Sequence, residues 1–380
     1  VPLFSALLVF SIPNNRKELF RPIGIVFSLI TFTQSMYILF SDYSKSDFQI
    51  LLKFEWIQVY GLEINLGISG MSTLLLLLSS LLVLLSLLSI GKDHSESKGF
   101  IGSILTLHFA INGVFISGDL ISLFIFFEAL LIPMYFLMGI WGGDNRRYAT
   151  IKFILYTVFG SIFIFIGTVY TAVISYGVNA RLAVDFETLS TLEITASQSK
   201  TLFLLFTFGF LIKVPIFPLH TWLPDAHVEA PTAGSILLAG ILLKVGAYGI
   251  LRVSIPFFTE GFLEYKNIVA VLSVIGIIYG AIVAIAQIDI KKLIAYSSIS
   301  HMGYALAGLS TGTNEGIQSS IIYISIYLVM NLAFFSCIFM MKRDKNYCEN
   351  IDDLSGLSKN HPLIALSLLI ILFSLAGIPP

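Results

Sequence analysis

Three titratable side chains lie inside apolar runs of the sequence. Glu128 stands in SLFIFFEALLIPMY, Lys213 in TLFLLFTFGFLIK and Lys244 in SILLAGILLKVGAYGI. Each lies about 14 to 20 Å of helix from the start of its run, near the centre of a hydrocarbon layer about 30 Å thick. A charge at that depth costs about 2.5–3.5 kcal/mol, and it is retained where charges pair, face internal water or act in transport. Because carboxyl and amino groups take up and release protons, these residues predict proton-transfer chemistry.

The segment LIKVPIFPLHTWLPDAHVEAPTAG follows the second of these runs. Pro215 and Pro218 each remove a helical N–H and clash with the preceding turn, so the helix is predicted to break beside Lys213. Transport proteins bind ions at such breaks, whose backbone must be buried in protein or line water. We therefore predict a hydrated hinge with a titratable lysine. Pro133, five residues after Glu128, predicts a milder perturbation, and the terminal FSLAGIPP predicts a second broken helix, as in inverted repeats.

Three histidines complete the candidate site, and a purely structural role is the alternative for its charged pair. His301, in SSISHMGY, lies in an apolar run, where a lone histidine is either a satisfied polar residue or a proton relay. His220 and His227 flank the proline-rich segment. Glu128 and Lys213 could form a purely structural pair, but two deep lysines against one glutamate leave a cation unpaired, which favours a functional role.

The composition restricts the class of protein. The chain has 380 residues, of which 56% are hydrophobic and 12% charged, whereas soluble domains carry about 25% charged residues. Since no polar surface remains for a soluble fold, we predict an all-α polytopic membrane protein. The net charge of −1 indicates no nucleic-acid partner, and Cys337 and Cys348 form no metal-binding or disulfide pattern.

Runs of about 20 apolar residues predict about twelve membrane crossings. They cover roughly residues 1–11, 22–40, 68–90, 99–116, 120–140, 152–176, 201–220, 232–251, 267–286, 293–310, 316–341 and 362–380. The polar stretches 41–66, 177–200 and 342–361 are predicted to be loops or short surface helices. Lys152, close to Arg146 and Arg147, is predicted to extend to the interface.

Counting Lys and Arg in alternate loops tests this arrangement. One side holds 13 of the 22 basic residues: Arg16, Lys17, Arg21, Lys92, Lys98, Arg146, Arg147, Lys291, Lys292, Lys342, Arg343, Lys345 and Lys359. The other side holds 6: Lys45, Lys53, Arg181, Lys200, Arg252 and Lys266. Lys152, Lys213 and Lys244 lie within crossings. The richer side is predicted to face the cytoplasm or matrix.

Three stretches resemble a known family: VPIFPLHTWLPDAHVEAPTAGSILLAGILLKVGAYGILR, FFEALLIPMYFLMGIWGG and QIDIKKLIAYSSISHMGY. Over about residues 1–305 the chain resembles the antiporter-like subunit 4 (bacterial subunit M) family of respiratory complex I, the proton-pumping NADH:quinone oxidoreductase. The resemblance implies an antiporter-like helix bundle with two inverted five-helix repeats, each with a broken helix. It also implies that Glu128 and Lys213 form the charged pair of the first half-channel, that Lys244 passes the proton onward, and that His220 and His301 line the hydrated path.

The same resemblance implies partners and a location. NADH, FMN, iron–sulfur clusters and quinone are expected in partner subunits, with no cofactor bound by this chain. The expected partners are other membrane subunits of complex I, the lipid bilayer, protons and internal water. The expected location is an energy-transducing inner membrane, either bacterial plasma or mitochondrial inner. Because related cation/proton antiporter subunits share HTWLPDA, a subunit of such an antiporter is the alternative.

From about Gly308 the resemblance is expected to change. Residues 308–380 resemble subunit 2 (bacterial subunit N) of the same complex, and Tyr327 stands where subunit 4 places a further histidine. We therefore expect a composite or a natural fusion, truncated at both ends, with an incomplete second half-channel; a non-functional fragment is a further alternative. The expected organisation is N-terminal helices in 1–98, a first antiporter-like repeat in 99–253 and an incomplete second repeat in 267–380.

Overall fold

The computed structural model describes residues 1–41, 48–91, 94, 96–343, 346–347 and 350–378. Helices dominate it. In chain order they are α1 (Pro2–Ser11), α2 (Phe20–Leu39), α3 (Gly70–Ser89), α4 (Lys98–Ile116), α5 (Leu120–Ala129), α6 (Leu131–Trp141), α7 (Arg146–Asn179), α8 (Phe186–Thr191), α9 (Ala196–Lys213), α10 (Trp222–Glu229), α11 (Thr232–Phe257), α12 (Thr259–Ile285), α13 (Ile290–Ser310), α14 (Asn314–Met340), α15 (Leu357–Asn360) and α16 (Pro362–Leu375).

The helices confirm the predicted membrane fold. Within the described ranges, eight helical segments are long and apolar enough to cross a membrane: Asn14–Leu39, Gly70–Leu88, Lys98–Ile116, Leu120–Trp141, Arg146–Val178, Thr232–Phe257, Thr259–Ile285 and Asn314–Ile338. Each of the other four predicted crossings also coincides with a helix, but two are shorter than predicted. The crossing predicted to end at residue 220 ends at Lys213, and the last helix ends at Leu375. Pro379 and Pro380 lie outside the described residues.

The described part of residues 41–66 differs from the prediction of a loop or surface helix. An antiparallel hairpin forms between β1 (Gln49–Ile57) and β2 (Leu62–Ile68), and Gly61 turns the chain with φ 70°. The ion pair between Lys53 Nζ and Glu63, at 2.6 Å, joins the strands and raises the pKa of that lysine. The run QILLKFEWI is rich in aromatic and branched residues, which favour strands. The sequence of β1 therefore already indicated a strand. The second predicted loop contains α8, and the third contains the two-residue strands Lys342–Arg343 and Asn346–Tyr347.

Loops assigned to the basic side meet at one end of the bundle. Lys98 Nζ donates to the Phe10 carbonyl, and Lys291 Nζ donates to the Val228 carbonyl. Since Lys98 and Lys291 come from the predicted basic group and hold neighbouring loops together, the alternation of the crossings agrees with the charge count. Lys92 and Lys345 belong to the same predicted group but lie outside the described residues.

The less basic loops meet at the opposite end. Arg252 at the end of α11 lies over the rings of Phe48 and Phe186, 4.4 and 4.8 Å from their centroids. Lys200 pairs with Glu264 at 3.0 Å, whereas Lys45 lies outside the described residues. The end that faces the cytoplasm or matrix, and the boundaries at 98, 253 and 267, stay predictions.

The centre of the bundle is α11. In the most apolar 18-residue stretch of α11, 89% of the residues are buried, against 28% in the corresponding stretch of α12 and 39% in that of α7. α11 is regular only in part, because π-helical turns cover Leu238–Leu242 and Ile250–Ser254. An irregular helix at the centre of an apolar bundle is the setting in which buried polar groups find backbone partners.

Candidate functional site

The helix that carries Lys213 ends at that residue, as predicted. Residues 214–221 form turns, and the chain becomes helical again at Trp222. Pro215 and Pro218 cannot donate backbone hydrogen bonds, which accounts for the break. Trp222 Nε1 donates to the Ile212 carbonyl at 3.0 Å. This bond occupies a carbonyl in the last turn of α9 and fixes the half-helix α10 against it.

Lys213 and Glu128 are neighbours but form no direct ion pair. Lys213 is 2% exposed, its Nζ lies 3.4 Å from the Phe127 carbonyl oxygen, and the same ammonium lies 3.9 Å from the Phe127 ring centroid. No N···O distance to Glu128 falls within 4.0 Å, and Glu128 Oε1 has no hydrogen-bond partner among the described protein atoms. Glu128 borders an open groove on the side of the bundle, lined by Phe124, Ile125, Ile132, Tyr135, Ile154 and Val158. The lysine is therefore held by a neutral carbonyl and an aromatic face.

Lys244 lies between the two π-helical turns of α11. It is 1% exposed, and its Nζ donates to the Ala239 carbonyl in the first of these turns. Its ammonium also lies 4.1 Å from the centroid of the Tyr327 ring. Like Lys213, this lysine is held by a carbonyl and a ring, and no carboxylate lies within ion-pair distance among the described residues.

The helices that carry the two lysines pack backbone to backbone. A Cβ on Gly246 would lie 2.8 Å from the Phe210 carbonyl oxygen and 3.0 Å from the Val214 backbone nitrogen. Only glycine allows this approach without displacing one of the helices. The close packing fixes the position of Lys244 relative to Lys213.

His301 lies beside Lys244, and one tyrosine touches both residues. His301 Nδ1 is 2.6 Å from the Tyr323 hydroxyl, and its ring stacks on Tyr327 with centroids 4.6 Å apart. The Tyr327 hydroxyl donates to Ser298 Oγ at 2.7 Å. The sequence could place Tyr327 on a span, but it could not reveal this contact with Lys244 and His301.

His220 and His227 lie near the break and bond to neither lysine. His220 Nε2 is 3.2 Å from the Tyr279 hydroxyl. His227 is fully buried and stacks on Phe335 at 5.9 Å, and neither of its ring nitrogens has a partner among the described protein atoms. The predicted site residues thus form separate groups, with Lys213 beside Phe127 and Lys244 joined to His301 through Tyr327.

Lys152 does not simply extend to the interface, as the sequence suggested. Its Nζ pairs with Asp225 Oδ2 at 2.7 Å, with side chains 22% and 34% exposed. The pair joins α7 to the half-helix α10. Proximity to Arg146 and Arg147 in sequence pointed to the membrane surface, but the fold brings an aspartate from 73 residues away to the lysine.

Comparisons with known proteins agree with this arrangement. The family described as NADH:quinone oxidoreductase/Mrp antiporter, TM, matches residues 117–380. NADH-quinone oxidoreductase subunit M of Rickettsia conorii is 36% identical over 100% of this chain and 77% of its own length. NADH-ubiquinone oxidoreductase chain 4 of Marchantia polymorpha is 35% identical over 99% of this chain and 75% of its own.

Solved structures have the same fold. A chain of respiratory complex I from Thermus thermophilus with bound NADH matches with a TM-score of 0.87 and 28% identity, over 100% of this chain and 77% of that one. A chain of the Mrp complex from Dietzia sp. matches with a TM-score of 0.84 over 100% of this chain and 70% of that one; at 23% identity it shows the fold alone.

The alignments establish the family. Relatives named subunit M align along the whole chain, residues 308–380 included, and the expected closer resemblance of residues 308–380 to subunit 2 stays a prediction. The chain belongs to the NADH:quinone oxidoreductase/Mrp antiporter transmembrane family and, within it, to the antiporter-like subunit M (chain 4) type of complex I.

Proposed function

We propose that protons cross this membrane subunit by way of Glu128, Lys213, Lys244 and His301, with His220 beside the broken helix lining the path. Electron transfer among NADH, FMN, iron–sulfur clusters and quinone takes place in partner subunits and supplies the drive. A drive is needed because moving one proton against 100 mV takes about 2.3 kcal/mol.

One observation carries the proposal. Two lysines, 2% and 1% exposed, lie on helices that pack backbone to backbone, and neither has a carboxylate within ion-pair distance among the described residues. A structural lysine would be expected to have a fixed counter-charge, since an unpaired buried cation is strongly destabilising. A lysine held by a carbonyl and a ring is better suited to releasing its proton.

The chemistry of arginine provides the test. Lys213→Arg keeps the positive charge but cannot release a proton in a protein. In the assembled complex we expect Lys213→Arg to depress NADH-driven proton pumping as strongly as Lys213→Ala. Glu128→Gln and Lys244→Ala should also depress pumping without loss of assembly, because each removes a charge that is costly in the membrane.

Lys200→Arg is the matched control for this test. Lys200 lies on the same helix as Lys213 and pairs at the surface with Glu264, so we expect the change there to leave pumping intact. Pumping is measured by quenching of a pH-sensitive dye in sealed vesicles, normalised to assembled complex. If Lys213→Arg pumped like the unaltered complex, Lys213 would be a fixed structural cation and the relay would be refuted.

A further inference from the structure

The ring of Tyr327 contacts two of the proposed relay groups from different helices. Tyr327, on α14, is 3% exposed. The Lys244 ammonium of α11 lies 4.1 Å from its ring centroid, and the His301 ring of α13 stacks on it at 4.6 Å with 29° between the planes. Among the described contacts, Tyr327 is therefore the residue that joins Lys244 to His301.

The hydroxyl of Tyr327 takes no part in that junction. It donates to Ser298 Oγ at 2.7 Å, and His301 Nδ1 meets the hydroxyl of a different residue, Tyr323. A phenol ordinarily titrates near pH 10, about 3 pH units above neutrality. Such a hydroxyl is therefore poorly suited to releasing and taking up the transferred proton near neutral pH. Lys244 and His301 both contact the aromatic ring of Tyr327 and not its hydroxyl.

From this geometry we propose that Tyr327 is a positioning residue whose electron-rich ring face stabilises one positive charge, shared between Lys244 and His301. The inference rests on the proposed proton relay. An aromatic face carries partial negative charge and attracts an ammonium or an imidazolium. When the proton passes, an N–H bond breaks at Lys244 Nζ and one forms at His301 Nε2, while His301 Nδ1 keeps the hydrogen that it donates to the Tyr323 hydroxyl in the proposed tautomer. The charge beside the ring stays at +1 throughout.

Such a ring has two effects on the relay. It stabilises the charge both before and after the transfer, so neither site holds the proton as a carboxylate would. It also discourages simultaneous protonation of both sites, because two cations beside one ring repel each other. The Ser298 bond keeps the ring oriented without entering the transfer.

Fluorinated phenylalanines at position 327 test the ring directly. Fluorine withdraws electron density from the ring face and changes its volume little, so a packing role would be unaffected. Starting from Tyr327→Phe in the assembled complex, we expect proton pumping to fall stepwise with each added fluorine, by about tenfold for the fully fluorinated ring. The same series at Phe203 is the control, since Phe203 is 2% exposed and its described ring contacts, with Phe262 and Tyr265, are aromatic.

Three variants, at Ser298, Lys244 and His301, separate this inference from the relay itself. Ser298→Ala should pump normally, because it removes only the partner of the hydroxyl; a loss as large as that of the fluorinated ring would instead assign the transfer to the hydroxyl and overturn the inference. If fluorination had no effect while Lys244→Ala and His301→Asn abolished pumping, the ring would be packing alone, and the relay would stand. If Lys244→Ala and His301→Asn both pumped normally, the relay would fail, and the inference with it.

Discussion

Adding one methyl group at Gly246 should interfere with proton pumping by separating the two lysine-bearing helices. The Cβ of an alanine there would lie 2.8 Å from the Phe210 carbonyl oxygen and 3.0 Å from the Val214 nitrogen, whereas ordinary contact begins at 3.4 Å. The helices must therefore part by about 0.6 Å. Overpacking of this kind costs about 1–3 kcal/mol, and a displacement approaching 1 Å can slow a positioned reaction by about 10²-fold. We expect Gly246→Ala to reduce pumping by about tenfold.

Gly139→Ala is the matched control. Gly139 lies in the membrane helix α6, and a Cβ there would be 3.8 Å from the side chain of Thr150, which is ordinary contact. Both substitutions gain the same helix propensity, about 1 kcal/mol, so the difference between them reports the clash. Pumping and NADH oxidation are measured in vesicles, with assembly checked by native electrophoresis. Equal pumping by Gly246→Ala and Gly139→Ala would show that the spacing of the lysine helices does not govern transfer, and this reasoning would be refuted.

Two other predictions concern the half-helix and the orientation. In a double-mutant cycle, Lys152→Met and Asp225→Asn should show a coupling of about 0.5–1 kcal/mol in thermal stability of the complex, since the pair is partly exposed; additive effects would mean that the 2.7 Å contact contributes nothing. Single cysteines at Asp144 and Glu187, in an otherwise cysteine-free chain, should react with an impermeant maleimide from opposite faces of sealed vesicles, with position 144 on the cytoplasmic or matrix face. Labelling of both from one face would contradict the order of the crossings.

The sequence was informative wherever a strong local rule applied. Apolar runs of about 20 residues placed the eight described helical segments that could cross a membrane, because the membrane leaves few other solutions. Two prolines within four residues placed the break beside Lys213. Each of these inferences needs only neighbours in sequence.

Contacts between distant helices could not be predicted in the same way. Lys244 and Tyr327 are 83 positions apart, and their meeting depends on the rotation of two helices about their axes. The π-helical turn at Leu238–Leu242 shifts that rotation, and a run such as LAGIL carries no residue that demands it. The pair of Lys152 and Asp225 likewise exists only because the broken helix places Asp225 against α7.

The irregular backbone and the buried lysines are linked by one requirement. An ammonium in an apolar interior needs acceptors, and a regular helix has already used its carbonyls. The Phe127 carbonyl lies in the last turn of α5, where carbonyls lack a following helical partner, and the Ala239 carbonyl lies in a π-helical turn. Each lysine therefore takes its acceptor from an interrupted stretch of helix and adds an aromatic face. A carboxylate in either place would hold the ammonium more firmly, but it would also keep the proton, since an adjacent negative charge favours the charged form of a lysine. Neutral acceptors make the lysine tolerable in the membrane, and in the proposed relay they would leave its proton free to move.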